Sequence, residues 1–220
     1  RDSSRHPYET LTFFEIKPDM KVVELSPGGG WYTEILANYI HKPGQLIAAH
    51  FDKDSQRAYF QRSRASFEKR IDEDPLFKDI EIVDLSSSLA EPGSVDAVLT
   101  FRNLHNWLGP QMDSIFANSS KALKPGGIFG VVEHRAKPGT SMEMMKKSGY
   151  VTEEHAIAVA KKHGFRLVNR SEINSNPKDS ANHPGGVWTL PPGLRLKDKD
   201  REKYIEIGES DRMTLLFKKS

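Results

Sequence analysis

Gly28, Gly29 and Gly30 stand between an apolar run, Val22 to Leu25, and a segment of helical pattern that begins at Trp31. Glycine lets the backbone approach a ligand closely, and a helix start offers free N–H groups, so a strand–glycine–helix order suits a nucleotide-like ligand. An ordinary tight turn would use the same residues. A second group gathers after two later apolar runs. Asn103 and His105 follow Val95 to Phe101, and Glu133, His134 and Arg135 close the run that starts at Ile128. Histidine carries protons near neutral pH. Arginine grips an anionic group through two parallel hydrogen bonds. The plainer readings are packing for His105 and a surface ion pair for Arg135, with Glu133 as its partner.

The elements that must position these groups follow from periodicity and punctuation. Pro7 and Glu9 open a helix with Leu11, Phe13 and Phe14 on its apolar face, and Pro18 stops it. Short apolar strands are expected at 22–25, 45–51, 81–83, 95–101, 128–134 and 165–173, with a last strand in RMTLLFKK. Helices are expected from Trp31 to Pro43, over 53–74, from Pro110 to Leu123 and over 152–164. The charges of 53–74 alternate in sign, which reads as a solvated helix. Lys124-Pro125-Gly126-Gly127 reads as a turn into the fifth strand. Alternating strands and helices imply an α/β fold, with a mostly parallel sheet covered on both faces. The whole chain, 1–220, is expected to be one domain. It has a helical cover over about 1–18 and an inserted segment over about 174–210, rich in proline and glycine. Residues 136–150 also fall outside the alternation. Long loops in compact domains are often functional, so the inserted segment, with His183, Trp188 and Tyr204, is a candidate lid or a surface wrap.

Composition excludes several classes. The 32 basic and 30 acidic side chains nearly balance, which argues against a dedicated nucleic-acid binder. No apolar run approaches the ~18 residues of a membrane helix. The chain has no cysteine, so disulfides, thiolate metal sites and a cysteine nucleophile are ruled out. His6, His105, His134 and His183 show no HxH or HxxxH spacing, and no metal is expected. The chain starts at Arg1, so a leader could lie upstream.

Three segments carry a family resemblance. VVELSPGGGWYTEIL resembles the first motif of class I S-adenosylmethionine (SAM) dependent methyltransferases, VDAVLTFRNLHNW resembles their fourth-strand motif, and LKPGGIFGVVEHR resembles their turn into strand five. The PGGGWYTEIL wording is similar to a bacterial group of predicted methyltransferases. The resemblance covers roughly residues 10–170 and resumes at the last strand. It implies a Rossmann-like, doubly wound sheet of seven strands with an antiparallel last strand. It implies SAM as cofactor and a small-molecule acceptor. Residue by residue, it makes Glu24 the motif acid and Gly28 and Gly30 the second and third motif glycines. Ser26 stands where the first glycine usually is. His50 falls at the ribose position, where the family places a carboxylate. Asp52 could substitute for it. Asp84 and Leu85 would meet the adenine, Phe101 and Arg102 the methionine portion, and Tyr32 the carboxylate. Catalytic candidates are His105, His134 and Arg135.

Two further readings stay open. One is a methyltransferase-fold protein that binds a ligand without transferring a methyl group, drawn from the departures at Ser26 and His50. The other is a nicotinamide-dependent oxidoreductase, which shares the glycine turn but lacks the ribose acid. A SAM-dependent enzyme would work in the cytoplasm, whereas removal of a leader would place the protein in the periplasm or outside the cell.

Overall fold

Seven strands form one sheet in the order β3-β2-β1-β4-β5-β7-β6. The strands are β1 (Lys21–Leu25), β2 (Gln45–His50), β3 (Glu81–Asp84), β4 (Val95–Phe101), β5 (Leu123–His134), β6 (Phe165–Ser171) and β7 (Arg212–Lys219). The computed structural model describes all 220 residues. Neighbours from β3 through β5 run parallel, and β7 runs antiparallel to both β5 and β6. This is the fold expected from the sequence.

The helices are α1 (Asp2–Arg5), α2 (Pro7–Phe13), α3 (Trp31–Tyr39), α4 (Ala58–Glu73), α5 (Leu104–Trp107), α6 (Pro110–Ala122), α7 (Met142–Ser148), α8 (Glu153–Lys162) and α9 (Arg201–Ile207). Side-chain alternation along β1 divides the interior. Val23 and Leu25 join Phe116, Phe129 and Phe165 on one face, while Val22 joins Leu11, Phe14 and Leu36 on the other. Glu24, between them, falls on the α3 face. No helix is long and apolar enough to cross a membrane.

Several expected boundaries shift for local reasons. The first expected helix opens at Pro7 as expected, but a short α1 precedes it, separated by His6 at φ +40. Proline has no N–H to continue the helix and crowds the residue before it. The helix expected over 53–74 starts at Ala58, after an extended Arg57. Lys124 to Gly127 does not end the strand. The segment bulges out within β5, where Val95 pairs with Leu123 and Ala97 next pairs with Ile128. Gly126 takes φ +73, and a Cβ on Gly127 would lie 2.8 Å from the Lys124 carbonyl. Residues 136–150 contain α7, capped by the Ser141 side chain and ended by Gly149 at φ +73.

Candidate active site

The carboxyl ends of β1, β4 and β5 lie side by side, and the glycine turn crosses above them. Ser26 adopts φ +49, Gly28 φ +61 and Gly30 φ +83. Left-handed backbone costs a non-glycine residue about 1 kcal/mol, so Ser26 needs outside support. It gets this from its N–H bond to the Ala49 carbonyl (2.8 Å) and from Asn103, whose amide donates to the carbonyls of Leu25 (3.1 Å) and Ser26 (3.3 Å). Nothing lies within 4 Å of where a Cβ would sit on Gly28 or Gly29. A cleft of about 390 Å³ opens there, lined by Arg1, Arg5, Ser26, Gly28, Phe101 and Arg102 among others.

The other expected cofactor residues fall into two classes. Some are already committed within the protein. Phe51 N–H donates to His50 Nδ1 (2.8 Å), which leaves the proton on Nε2, and Nε2 donates to the Gly28 carbonyl (3.3 Å). Burial holds this imidazole below its ordinary pKa, in keeping with a neutral ring. His50 therefore braces the turn and has no nitrogen left for a ribose. Glu24 is buried and accepts a hydrogen bond from Thr33 Oγ1 (2.6 Å), and burial pushes its carboxyl up to about 7. Asp84 is paired with Arg64 (2.9 Å). Tyr32 stacks on Phe101 with centroids 3.5 Å apart, and its hydroxyl donates to the Arg5 carbonyl (3.2 Å). Others face open space. Asp52 and Leu85 line a second pocket of about 240 Å³ with Phe51, Phe60 and Ser86. Arg102 lines the cleft.

His105 and His134 come together, with ring centroids 5.2 Å apart. Glu133 is wholly buried beneath them. It accepts hydrogen bonds from His105 Nδ1 (3.0 Å), His105 N–H (3.4 Å) and His134 N–H (2.7 Å). A carboxylate partner on Nδ1 fixes the imidazole orientation and puts the free lone pair on Nε2, the arrangement of an oriented base. His134 Nδ1 lies 2.5 Å from Ser210 Oγ. Burial, together with the positive charge of Arg212 and Arg102, keeps His134 well below its ordinary pKa. One ligand atom from each of His105, Glu133 and His134 falls within a 4.8 Å span. Three N–H donors already use the Glu133 oxygens, so this carboxylate acts as an acceptor within the protein.

Arg135 does not join this pair. Its guanidinium is spent on Asp211 (2.8 and 3.0 Å), Glu172 (2.8 and 2.7 Å) and Glu153 (3.3 Å). It is a structural clasp, because no donor is left for an anionic substrate. His183 lies apart as well, donating to Asp179 (2.8 Å). Asp179 also accepts from the Tyr150 hydroxyl and the Ala181 and Asp211 N–H groups, and it anchors the inserted segment. That segment lays Trp188 edge-on over His105, 5.9 Å between centroids.

Sequence reasoning missed two groups. Arg70, on the helix read as solvated, donates to the Gly29 carbonyl and pairs with Glu34. Phe67 and Ile71, buried beside it, mark the inward face of α4. Glu209 and Arg212 sit below the cleft with Arg5. No local pattern marks either: Glu209 lies in the connection before the last strand, and Arg212 opens that strand.

Residues 23–131 match the family model of a methyltransferase domain. With the sheet order already described, this decides the fold. The chain adopts the class I methyltransferase fold. Solved structures share that fold across the chain. A SAM-dependent methyltransferase from Aquifex aeolicus superposes with a TM-score of 0.67 at 13% identity, over 100% of this chain and 93% of that one. Geranyl diphosphate C-methyltransferase from Streptomyces coelicolor A3(2), solved with Mg2+, geranyl-S-thiolodiphosphate and S-adenosyl-L-homocysteine, gives 0.67 at 12% identity, over 99% and 76%. The [4+2]-cyclase SpnF gives 0.66 at 16%, over 98% and 80%. A search of curated proteins by sequence finds no match. In this fold the glycine turn and the His105–Glu133 pair share the carboxyl edge of the sheet.

Proposed function

We propose that the protein transfers a methyl group from SAM to a small-molecule acceptor. The observation that carries this is the open glycine turn beside the His105–Glu133 pair on a methyltransferase sheet. The chain's residues fit the cofactor. Gly28 and Gly29 leave open space, the cleft is large enough for an amino-acid moiety, and Ser26 Oγ is buried without a partner. SAM, when bound, supplies an electrophilic methyl on a sulfonium. Gly28 and Gly29 would hold its methionine portion. Asp52 and Leu85, beside the stacked Phe51–Phe60 pair, would hold its adenosine end. His105 would take the acceptor's proton on Nε2 as the acceptor attacks, with Glu133 steadying the charged imidazolium. Trp188 excludes water from this step. Alignment supplies much of the remaining rate, since an in-line displacement depends on reactant orientation.

Calorimetric titration with S-adenosylhomocysteine tests the reading. We expect micromolar binding by the wild type and none by Gly28→Arg, whose long side chain would fill the cleft at a left-handed position. A wild type that does not bind sinks the proposal. Ligand binding without methyl transfer is the second reading, favoured by the saturated His50. It predicts S-adenosylhomocysteine binding with no turnover on any acceptor.

A further inference from the structure

We propose that the acceptor is an anion whose oxyanion group is held by Arg5, Arg102 and Arg212. This rests on the methyltransferase reading and names the substrate class for that same site.

Three guanidiniums converge on one carboxylate. Glu209 Oε2 lies 3.1 Å from Arg5 Nε, 3.5 Å from Arg102 Nη1 and 2.5 Å from Arg212 Nη2. The group is deeply set, with side-chain exposures of 3% for Arg5, 2% for Arg212 and 9% for Glu209. A buried charge without a counter-charge is among the costliest arrangements a protein can hold. Here two positive charges remain uncompensated. Arg212 Nε is buried with no hydrogen-bond partner at all. Arg102 has no side-chain contact to a carboxylate closer than that 3.5 Å approach. Burial and the neighbouring guanidiniums bring it down to about 10. Its backbone is strained as well, at φ +63, pinned by a bond from its N–H to the Val132 carbonyl (2.7 Å). Strain and unmet charge at a cleft wall mark a position kept for binding.

The cofactor does not balance this charge. SAM carries a carboxylate but also an ammonium and a sulfonium, so it adds positive charge overall. We assign the missing negative charge to the second substrate. The chain also connects the two sites directly. Ser210, next to Glu209, meets His134, which lies against His105. An acceptor anchored at the arginines would thus present its nucleophile beside the base.

The experiment titrates the protein, saturated with S-adenosylhomocysteine, with inorganic phosphate and separately with succinate at constant ionic strength. Constant ionic strength keeps screening from mimicking competition. Loss of buried Arg212 threatens folding, so Arg102→Met and Glu209→Gln are the variants, each checked by thermal unfolding. We expect Arg102→Met to weaken anion binding by about tenfold or more and Glu209→Gln to strengthen it severalfold, as loss of a charge-assisted contact and of a competing carboxylate require. Stronger phosphate binding identifies a phosphorylated acceptor, and stronger succinate binding a carboxylated one. No binding of either anion overturns the proposal. So does an Arg102→Met variant that loses S-adenosylhomocysteine and keeps the anion, which would give the arginine to the cofactor. Anion binding without S-adenosylhomocysteine binding leaves the anion site standing and overturns the cofactor reading.

Discussion

The two halves of the carboxyl edge are finished to different degrees. On the side of β1 and β2, polar groups other than Ser26 Oγ are closed by the protein itself. His50 uses both nitrogens, Asp84 holds Arg64, and Arg70 ties Gly29 to Glu34. On the side of β4, β5 and β7, three arginines share one glutamate and a buried Nε lacks any partner. A closed network fixes a loop in one geometry before anything binds, which suits a ligand that is always the same. An electrostatically incomplete region is stabilised by what it binds. The contrast therefore assigns the rigid half to a constant ligand and the unfinished half to the group that reacts with it.

Three substitutions test this division, starting with the largest effect. His105→Ala removes the oriented base, and we expect turnover to fall about 100- to 10,000-fold with S-adenosylhomocysteine affinity unchanged. If turnover is unaffected on a true acceptor, the unfinished half does no proton transfer. Glu24→Gln probes the finished half through pH. The folded carboxyl titrates near 7 against 4.5 unfolded, so the native state holds the extra proton between those values. Stability from this group is present below pH 4.5 and is lost as pH rises through 7. The loss is about 3 kcal/mol across that window. We expect denaturant unfolding at pH 5 and at pH 8 to differ less in the variant than in the wild type, by most of that amount. An identical pH slope in both would mean Glu24 is not isolated from water. Arg135→Met is the smallest. Removing a clasp with 21% of its side chain exposed should cost about 1–3 kcal/mol in stability and leave acceptor KM unchanged. A raised KM would move Arg135 into the substrate site.

Much of the fold was legible because its signals are local and strongly periodic. Strand–glycine–helix at 28–30, the apolar runs and their order were enough to lay out the sheet. The histidines at 105 and 134 were legible as a pair because they follow adjacent parallel strands. Contact partners were not. Nothing local distinguishes Arg135, saturated by three carboxylates, from Arg102, left waiting, since the difference is made by Asp211 and Glu172 arriving from far along the chain. Arg64 and Arg70 looked solvated because charges alternate around them, yet Phe67 and Ile71 turn that face of α4 inward. His50 read as a defective ribose ligand, whereas its contacts make it a brace, a role visible only once Phe51 and Gly28 are in place.

β7 enters the sheet between β5 and β6 although it is the last of the seven strands in chain order. Glu209, Ser210 and Asp211 lead into it and Arg212 opens it; Glu209 and Arg212 reach α1 through Arg5 and Ser4, Ser210 reaches His134, and Asp211 reaches Arg135. During synthesis β5 keeps an open edge, and β6 has no strand partner, until that strand slots in. Long-range pairings of this kind are slow and leave sticky edges exposed meanwhile. The anion pocket and its base are thus completed in a single late event. A nascent chain can shape its glycine turn well before it can hold an acceptor.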